Sequence, residues 1–215
     1  EQAKFFYKKL NLEINSLNHY YIINNSFKEY KILKRKKEQK SYLDIEDSNL
    51  TLIKIDNLSV LKLSHKYKPE KTIDYLINRY QKHPVYKYFF YGLRNYKNNI
   101  QCVFIIRKQI YFDRSCLRIV DVYGDIDNIK SLKKQFENLL SMEDAEYVDV
   151  LNYGISETTF KKIGFSKLDF SSDNIIIPNF FQPFVQKNIE IEFSYISKYD
   201  DFVIFRGDGD QDRPS

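Results

Sequence analysis

Residues 116–165, CLRIVDVYGDIDNIKSLKKQFENLLSMEDAEYVDVLNYGISETTFKKIGF, decide the fold. Cys116 to Tyr123 reads as a strand. From Asp125 the apolar residues Ile129, Leu132, Phe136, Leu139 and Leu140 recur at helical spacing, with Asp125 or Asp127 available as N-cap. Ala145 to Asn152 returns to strand. A strand, helix, strand unit of this length predicts a parallel pair joined by a right-handed crossover. Ser156 then caps a short helix that stops at Gly164.

Working back from this unit, Val85–Arg94, Ile100–Phe112 and Cys116–Tyr123 read as an antiparallel meander, with turns at Asn98/Asn99 and Asp113/Arg114. Ile73, Leu76, Ile77 and Tyr80 mark an amphipathic helix, with Pro69 suited to its first turn and His83-Pro84 stopping it. TLIKI and LSVLKL, within Leu50–Leu63, read as strands parted by Asp56 and Asn57. At the front, residues 1–11 read as a short helix, followed by strands over Leu12–Asn24 and Phe27–Leu33. Toward the end, strands are expected around Asn174–Ile177, Glu190–Ile196 and Phe202–Phe205. The class is mixed α/β (α+β), a largely antiparallel sheet flanked by helices.

The chain of 215 residues is 43% hydrophobic and 29% charged, which supplies a core and argues against disorder. Basic residues exceed acidic ones by only five, too few for a nucleic-acid partner. Cys102 and Cys116 cannot form a disulfide framework, so a reduced, cytoplasmic setting is expected, and no apolar run is long enough to span a membrane. The first residue is Glu1 and the single methionine is Met142, so the sequence reads as a fragment or a processed form.

Phe6-Tyr7-Lys8-Lys9-Leu10-Asn11-Leu12 is matched 153 positions later by Thr159-Phe160-Lys161-Lys162-Ile163-Gly164-Phe165. Each copy is a short helix running into a strand, and each leads to an Ile- or Tyr-rich strand ending in Asn. Composition rich in Lys, Ile, Asn and Tyr could produce the same match by chance. Read as a repeat, residues 1–40 are the tail of an earlier copy, 41–49 a linker and 50–215 a second copy ending in a polar tail.

With its FKKIGF junction, the second copy resembles the GNAT N-acetyltransferase superfamily. The whole chain, including its ending FRGDGDQDRPS, resembles tandem GNAT-like proteins associated with bacterial surface-polysaccharide biosynthesis. The resemblance implies N-acylation of an amino sugar or sugar nucleotide, with acetyl-CoA or another acyl-CoA as donor and no metal. The alternative is a non-catalytic GNAT-like domain that binds substrate or a partner. The cofactor would lie on Val122, Tyr123, Gly124, Asn128 and Asn152, its diphosphate on the loop 123–128. That loop has one glycine, and its Asp125 and Asp127 equally suit helix caps. The family's general-acid tyrosine corresponds to Phe160 in the second copy and to Tyr7 in the first.

Three further constellations arise from the residues themselves. Asp121 and Asp149, each inside a VDV triplet on neighbouring strands, either form a carboxylate pair acting as general base for an incoming amine, or each faces solvent or pairs with Arg118 or a lysine. Arg206, Asp208 and Asp210 either meet sugar hydroxyls and an amine or form a solvated tail; their spacing fails the EF-hand pattern. His83 is a base or a helix C-cap, and Lys34 to Lys37 a solvated linker or a nucleic-acid contact.

Overall fold

The computed structural model describes residues 2–36, 50–199 and 201–209. The expected linker, residues 41–49, lies outside the described residues. The chain opens with α1 (Gln2–Lys9), then β1 (Glu13–Ser16) and β2 (Asn18–Ile23). The strand expected over Phe27–Leu33 does not form. The N–H groups of Lys31, Ile32 and Leu33 donate to the buried Glu146 carboxylate at 2.6, 2.9 and 3.1 Å. Successive N–H groups turned to one acceptor curl the backbone, whereas a strand sends neighbouring ones to opposite edges. Only Lys34–Arg35 extends, as β3.

After β4 (Thr51–Ile55), the second expected strand is replaced by a 3-10 turn, Leu58–Val60. The Asn57 side chain accepts the Ser59 N–H at 2.9 Å, a local bond that competes with the sheet ladder. The next helix, α2 (Ile73–Leu76), is capped by Thr72, not preceded directly by Pro69, and widens into a π turn at Ile77–Gln81. The meander is β5 (Tyr88–Arg94), β6 (Ile100–Tyr111) and β7 (Arg114–Gly124).

The crossover helix, α3 (Lys133–Met142), starts well after Asp125 and Asp127, so neither caps it. Ile126, Ile129 and Leu132 are buried from the loop instead. It leads to β8 (Ala145–Tyr153), which runs parallel to β7, and then α4 (Glu157–Ile163). As the sequence predicts, Ser156 caps α4 through the Thr159 N–H, and Gly164 ends it at φ 106°. The remaining strands are short: β9 (Ser166–Lys167), β10 (Ile175–Ile176), β11 (Phe180–Phe181), β12 (Phe184–Val185), β13 (Glu192–Tyr195) and β14 (Ile204–Phe205).

Among the described residues the main sheet has the order β4-β5-β6-β7-β8-β2-β9, with β14 also on β8. Every pairing but β7–β8 is antiparallel. The strand β2, from the segment expected as the tail of another copy, lies between β8 and β9. One face of the sheet carries Tyr20, Phe104, Leu117, Ile119 and Val150 beneath α3 and α4. The Tyr20 ring stacks on Phe160 at 4.1 Å, which places Phe160 in the core. The other face carries Val103, Ile105 and Val120 under Leu58, Leu76 and Tyr80, and Tyr21, Cys116 and Tyr147 under Ile32, Leu33 and Ile177. No helix among the described residues is long and apolar enough to cross a membrane.

Candidate functional site

Residues Ser115 to Ile119 of β7 pair with Ala145 to Val150 of β8, and there the parallel ladder ends. A register shift against β6 falls between the pairs Ile106–Ile119 and Ile105–Asp121, leaving Val120 as an extra residue. A bulge of this kind turns two consecutive side chains to one face, here Val120 and Asp121. Farther along β8, Asn152 and Tyr153 pair instead with Phe205 and Ile204. The chain's own C-terminal segment therefore enters where β7 and β8 part. Gly207 is required there, since a Cβ would lie 2.2 Å from the Tyr80 hydroxyl and 2.9 Å from the Val120 carbonyl.

The segment is held by Lys71. Its ammonium lies 2.6 Å from Asp121 and 2.8 Å from Asp208, and it is buried with Asp121. The Tyr80 hydroxyl donates to the other Asp121 oxygen at 2.8 Å, and the Val122 N–H to Asp121 Oδ1 at 2.8 Å. Burial opposes charge on Lys71, but the two carboxylates outweigh it and hold the ammonium protonated above its ordinary range. Burial pushes the Asp121 carboxyl up against the pull of Lys71, with the Asp208 carboxylate adding to the rise. Its like-charged neighbour is thus Asp208, not Asp149.

Asp149 belongs to a different cluster. Arg118 grips it with two nitrogens, Nε at 3.0 Å and Nη2 at 2.7 Å, and also donates to the carbonyls of Pro178 and Asn179. His19 Nε2 lies 2.9 Å from Asp149 Oδ2. Burial alone would raise Asp149; the guanidinium and the His19 bond override it and hold the carboxyl well below its usual range. Burial lowers His19, so the neutral ring donates from Nε2 and leaves Nδ1 a buried acceptor with no partner among the described residues. Asp121 and Asp149 are both ion-paired, to Lys71 and to Arg118, and neither faces solvent.

The residues assigned to a cofactor are engaged within the chain. The Tyr123 hydroxyl donates to the Leu63 carbonyl at 3.0 Å and its ring stacks on His65 at 5.1 Å. Burial holds the His65 pKa down at about 4, with Lys71 adding to the shift, so this ring is neutral at pH 7. Gly124 sits at φ 108°, where a Cβ would fall 2.5 Å from the Gln101 carbonyl. Asp125 and Asp127 both pair with Lys66, and the Asn128 amide donates to Asp125 at 3.4 Å. The Asn152 side chain ties Ile204 to Ile155. The crossover helix α3 starts only at Lys133, and the residue of the loop that meets a helix N-terminal turn is Asp127, which accepts from the Thr159 hydroxyl of α4 at 3.4 Å.

Tyr7 and Arg206, far apart in sequence, line one cavity of about 480 Å³ between α1, β13 and the C-terminal segment. Phe193, Phe205 and Tyr7 supply aromatic walls, and Lys4 and Glu192, ion-paired to each other, supply charge. Behind the wall, Arg206 donates to the Asn179 carbonyl that also accepts from Arg118. Asp208 lies outside this cavity, on Lys71, and Asp210 lies outside the described residues. Sequence reasoning missed Lys71, Tyr80 and His19 because their partners are 41 to 137 positions away.

Among the described residues no three His, Cys, Asp or Glu side chains gather in a way that could hold a metal. No family model matches this chain, and no curated protein matches it.

Proposed function

We propose that this chain is a non-catalytic, GNAT-like recognition domain that binds an amino sugar or an amino-sugar-bearing glycan precursor. The supporting observation is the cavity that joins Tyr7 and Arg206. Aromatic walls suit the apolar face of a sugar ring, and convergent charged groups suit its hydroxyls and amine. Glu192 would take the ammonium, and Arg206 and Lys4 the hydroxyls or an acidic substituent. Such precursors are met in the cytoplasm. The absence of catalysis rests on the occupied cleft: Phe205 to Asp208 fill the parting of β7 and β8, and the Val122 N–H is already bound by Asp121.

Calorimetric titration with a glucosamine disaccharide and, separately, with acetyl-CoA tests this. Saturable binding of the amino sugar, lost in Tyr7→Ala and weakened in Glu192→Gln, with no heat from acetyl-CoA, is the expected result. Failure of the amino sugar to bind overturns it.

A second reading is acyl transfer from an acyl-CoA, and one feature favours it. A carboxylate pushed upward by burial, Asp121, sits on a strand bulge where two parallel strands part. It could take the proton that an attacking amine loses as the thioester C–S bond breaks. The C-terminal segment would first have to withdraw. Saturable acetyl-CoA binding by the Asp208→Asn variant, with release of free thiol when an amino sugar is added, would establish this reading in place of the first.

A further inference from the structure

The hairpin of β6 and β7 projects from the sheet. β5 pairs β6 only as far as Arg107, so Lys108 to Tyr111 run past its end, and β8 joins β7 only at Ser115. Tyr111 and Arg114 pair across a two-residue loop, Phe112-Asp113. Loops of this length favour Asn-Gly or Asp-Gly, because the first residue takes a positive φ. Here that residue is phenylalanine, at φ 52° and 82% exposed. A bulky side chain in the left-handed region is strained, and this one gains no burial in return. Ile110, two positions before it, is 67% exposed.

Behind this apex the Tyr111 ring stacks on Phe184 at 3.8 Å, which joins the β11–β12 hairpin to the tip. Gln186, just past β12, donates to the carbonyls of Lys31 and Ile32, and Lys31 pairs with Asp113 in the loop. With β3 paired to β10, residues 27–36, 111–114 and 173–187 form one surface. Seven basic side chains there stand against three acidic ones, Glu29, Asp113 and Asp173, which is most of the excess of five in the whole chain. Lys28, Lys34, Lys36 and Lys187 are exposed, and among the described residues none of them pairs with a carboxylate. The side toward α3 is closer to neutral, since Lys108 pairs there with Glu143 and Asp144 follows.

We propose that this tip docks on a membrane surface containing anionic lipid, with Ile110 and Phe112 entering the boundary between headgroups and acyl chains and the lysines meeting lipid phosphates. A convex apex with apolar side chains foremost and uncompensated cations beside it complements a negative surface that has apolar depth. A nucleic-acid strand would engage the lysines but leave Ile110 in water, since it has no ring on which a base could stack. The amino-sugar cavity lies at the far end of β8, where Ile204 pairs with Tyr153, so docking leaves it open. This inference stands independently of the amino-sugar reading.

The test is sedimentation of the chain with vesicles of phosphatidylcholine alone and of equal parts phosphatidylcholine and phosphatidylglycerol. The chain sediments with the anionic vesicles only, and added salt weakens the binding by screening it. Lys28→Glu combined with Lys187→Glu weakens it at least about tenfold. Phe112→Asn combined with Ile110→Ser does the same but unfolds no earlier on heating, because Asn tolerates the left-handed conformation. The chain has no tryptophan, so Phe112→Trp supplies a single reporter, whose emission moves to the blue when anionic vesicles are added. Tyr96→Trp, in the exposed turn between β5 and β6 at the opposite end of the sheet, stays unchanged. Absence of sedimentation with anionic vesicles, equal sedimentation with phosphatidylcholine alone, or no blue shift at position 112 overturns the proposal. So does a single-stranded oligonucleotide that binds the native chain and is lost in the lysine reversal while the vesicles leave position 112 unmoved, which would assign the surface to nucleic acid.

Discussion

Lys71 lies 2.6 Å from Asp121 with both side chains out of solvent, and the same ammonium reaches Asp208 at 2.8 Å. One lysine thereby ties the segment before α2 to the bulge of β7 and to the chain's C-terminal segment. Lys71→Met leaves two carboxylates facing each other without a counter-charge. Removing one partner from a buried ion pair costs about 3–5 kcal/mol. Urea unfolding should show a loss of that order, and a loss near zero would mean that water reaches the cluster. Because the folded-state pKa of Lys71 is raised above 10.5, its contribution is fully present below that pH and disappears as pH rises through the folded value.

Gly207→Ala tests whether the C-terminal segment is wedged between the strands. The added methyl would meet the Tyr80 hydroxyl and the Val120 carbonyl, and crowding of this kind costs about 1–3 kcal/mol. Tyr80→Phe removes the nearer obstacle, the hydroxyl. In the double variant part of the Gly207→Ala loss should return, measured as a coupling energy by denaturant unfolding. Strict additivity would show that the segment lies farther from Tyr80.

Asp149 governs the acid limb. Its pKa falls below 3.8 on folding because Arg118 and His19 stabilise the carboxylate. Stability from this group is present above pH 3.8 and is lost as pH falls through the folded value. The urea midpoint of the native chain should drop steeply below about pH 4. Asp149→Asn should start lower, with Arg118 stranded, but show a flatter slope in that window. Parallel slopes would remove Asp149 as the source.

Phe160→Tyr would restore the residue that the acetyltransferase resemblance expects at this position. Phe160 is 2% exposed and stacked on Tyr20. A hydroxyl added there has to be buried without an arranged partner, at about 1–3 kcal/mol. The variant should be less stable and should show no gain in acetyl-CoA hydrolysis or transfer. A gain in transfer would reverse the view that this position is core.

How much of this was legible beforehand depended on the range of the interaction. The parallel β7–β8 unit, the meander, Ser156 as a cap and Gly164 as a stop follow from local periodicity and capping chemistry, and the structure contains them. Elements with weak local signals went elsewhere. Phe27–Leu33 is expected as a strand, but Glu146, more than 110 positions on, captures the N–H groups of its last three residues. Asp125 and Asp127 have the chemistry of helix caps, yet Lys66 holds them in a loop.

The site divides the same way. The sequence by itself singled out side chains capable of chemistry: the two VDV aspartates, the terminal Arg206 and Asp208, and Tyr7 in its repeat. Their partners came only with the tertiary structure. It set Asp121 on Lys71 and Asp149 on Arg118, brought Tyr7 to Arg206, and closed the parting of β7 and β8 with Phe205 to Asp208. The physical reason is that periodicity and capping act within a few residues of the chain. The state of a charge is set by burial and by whatever counter-charge the fold delivers from a distant segment.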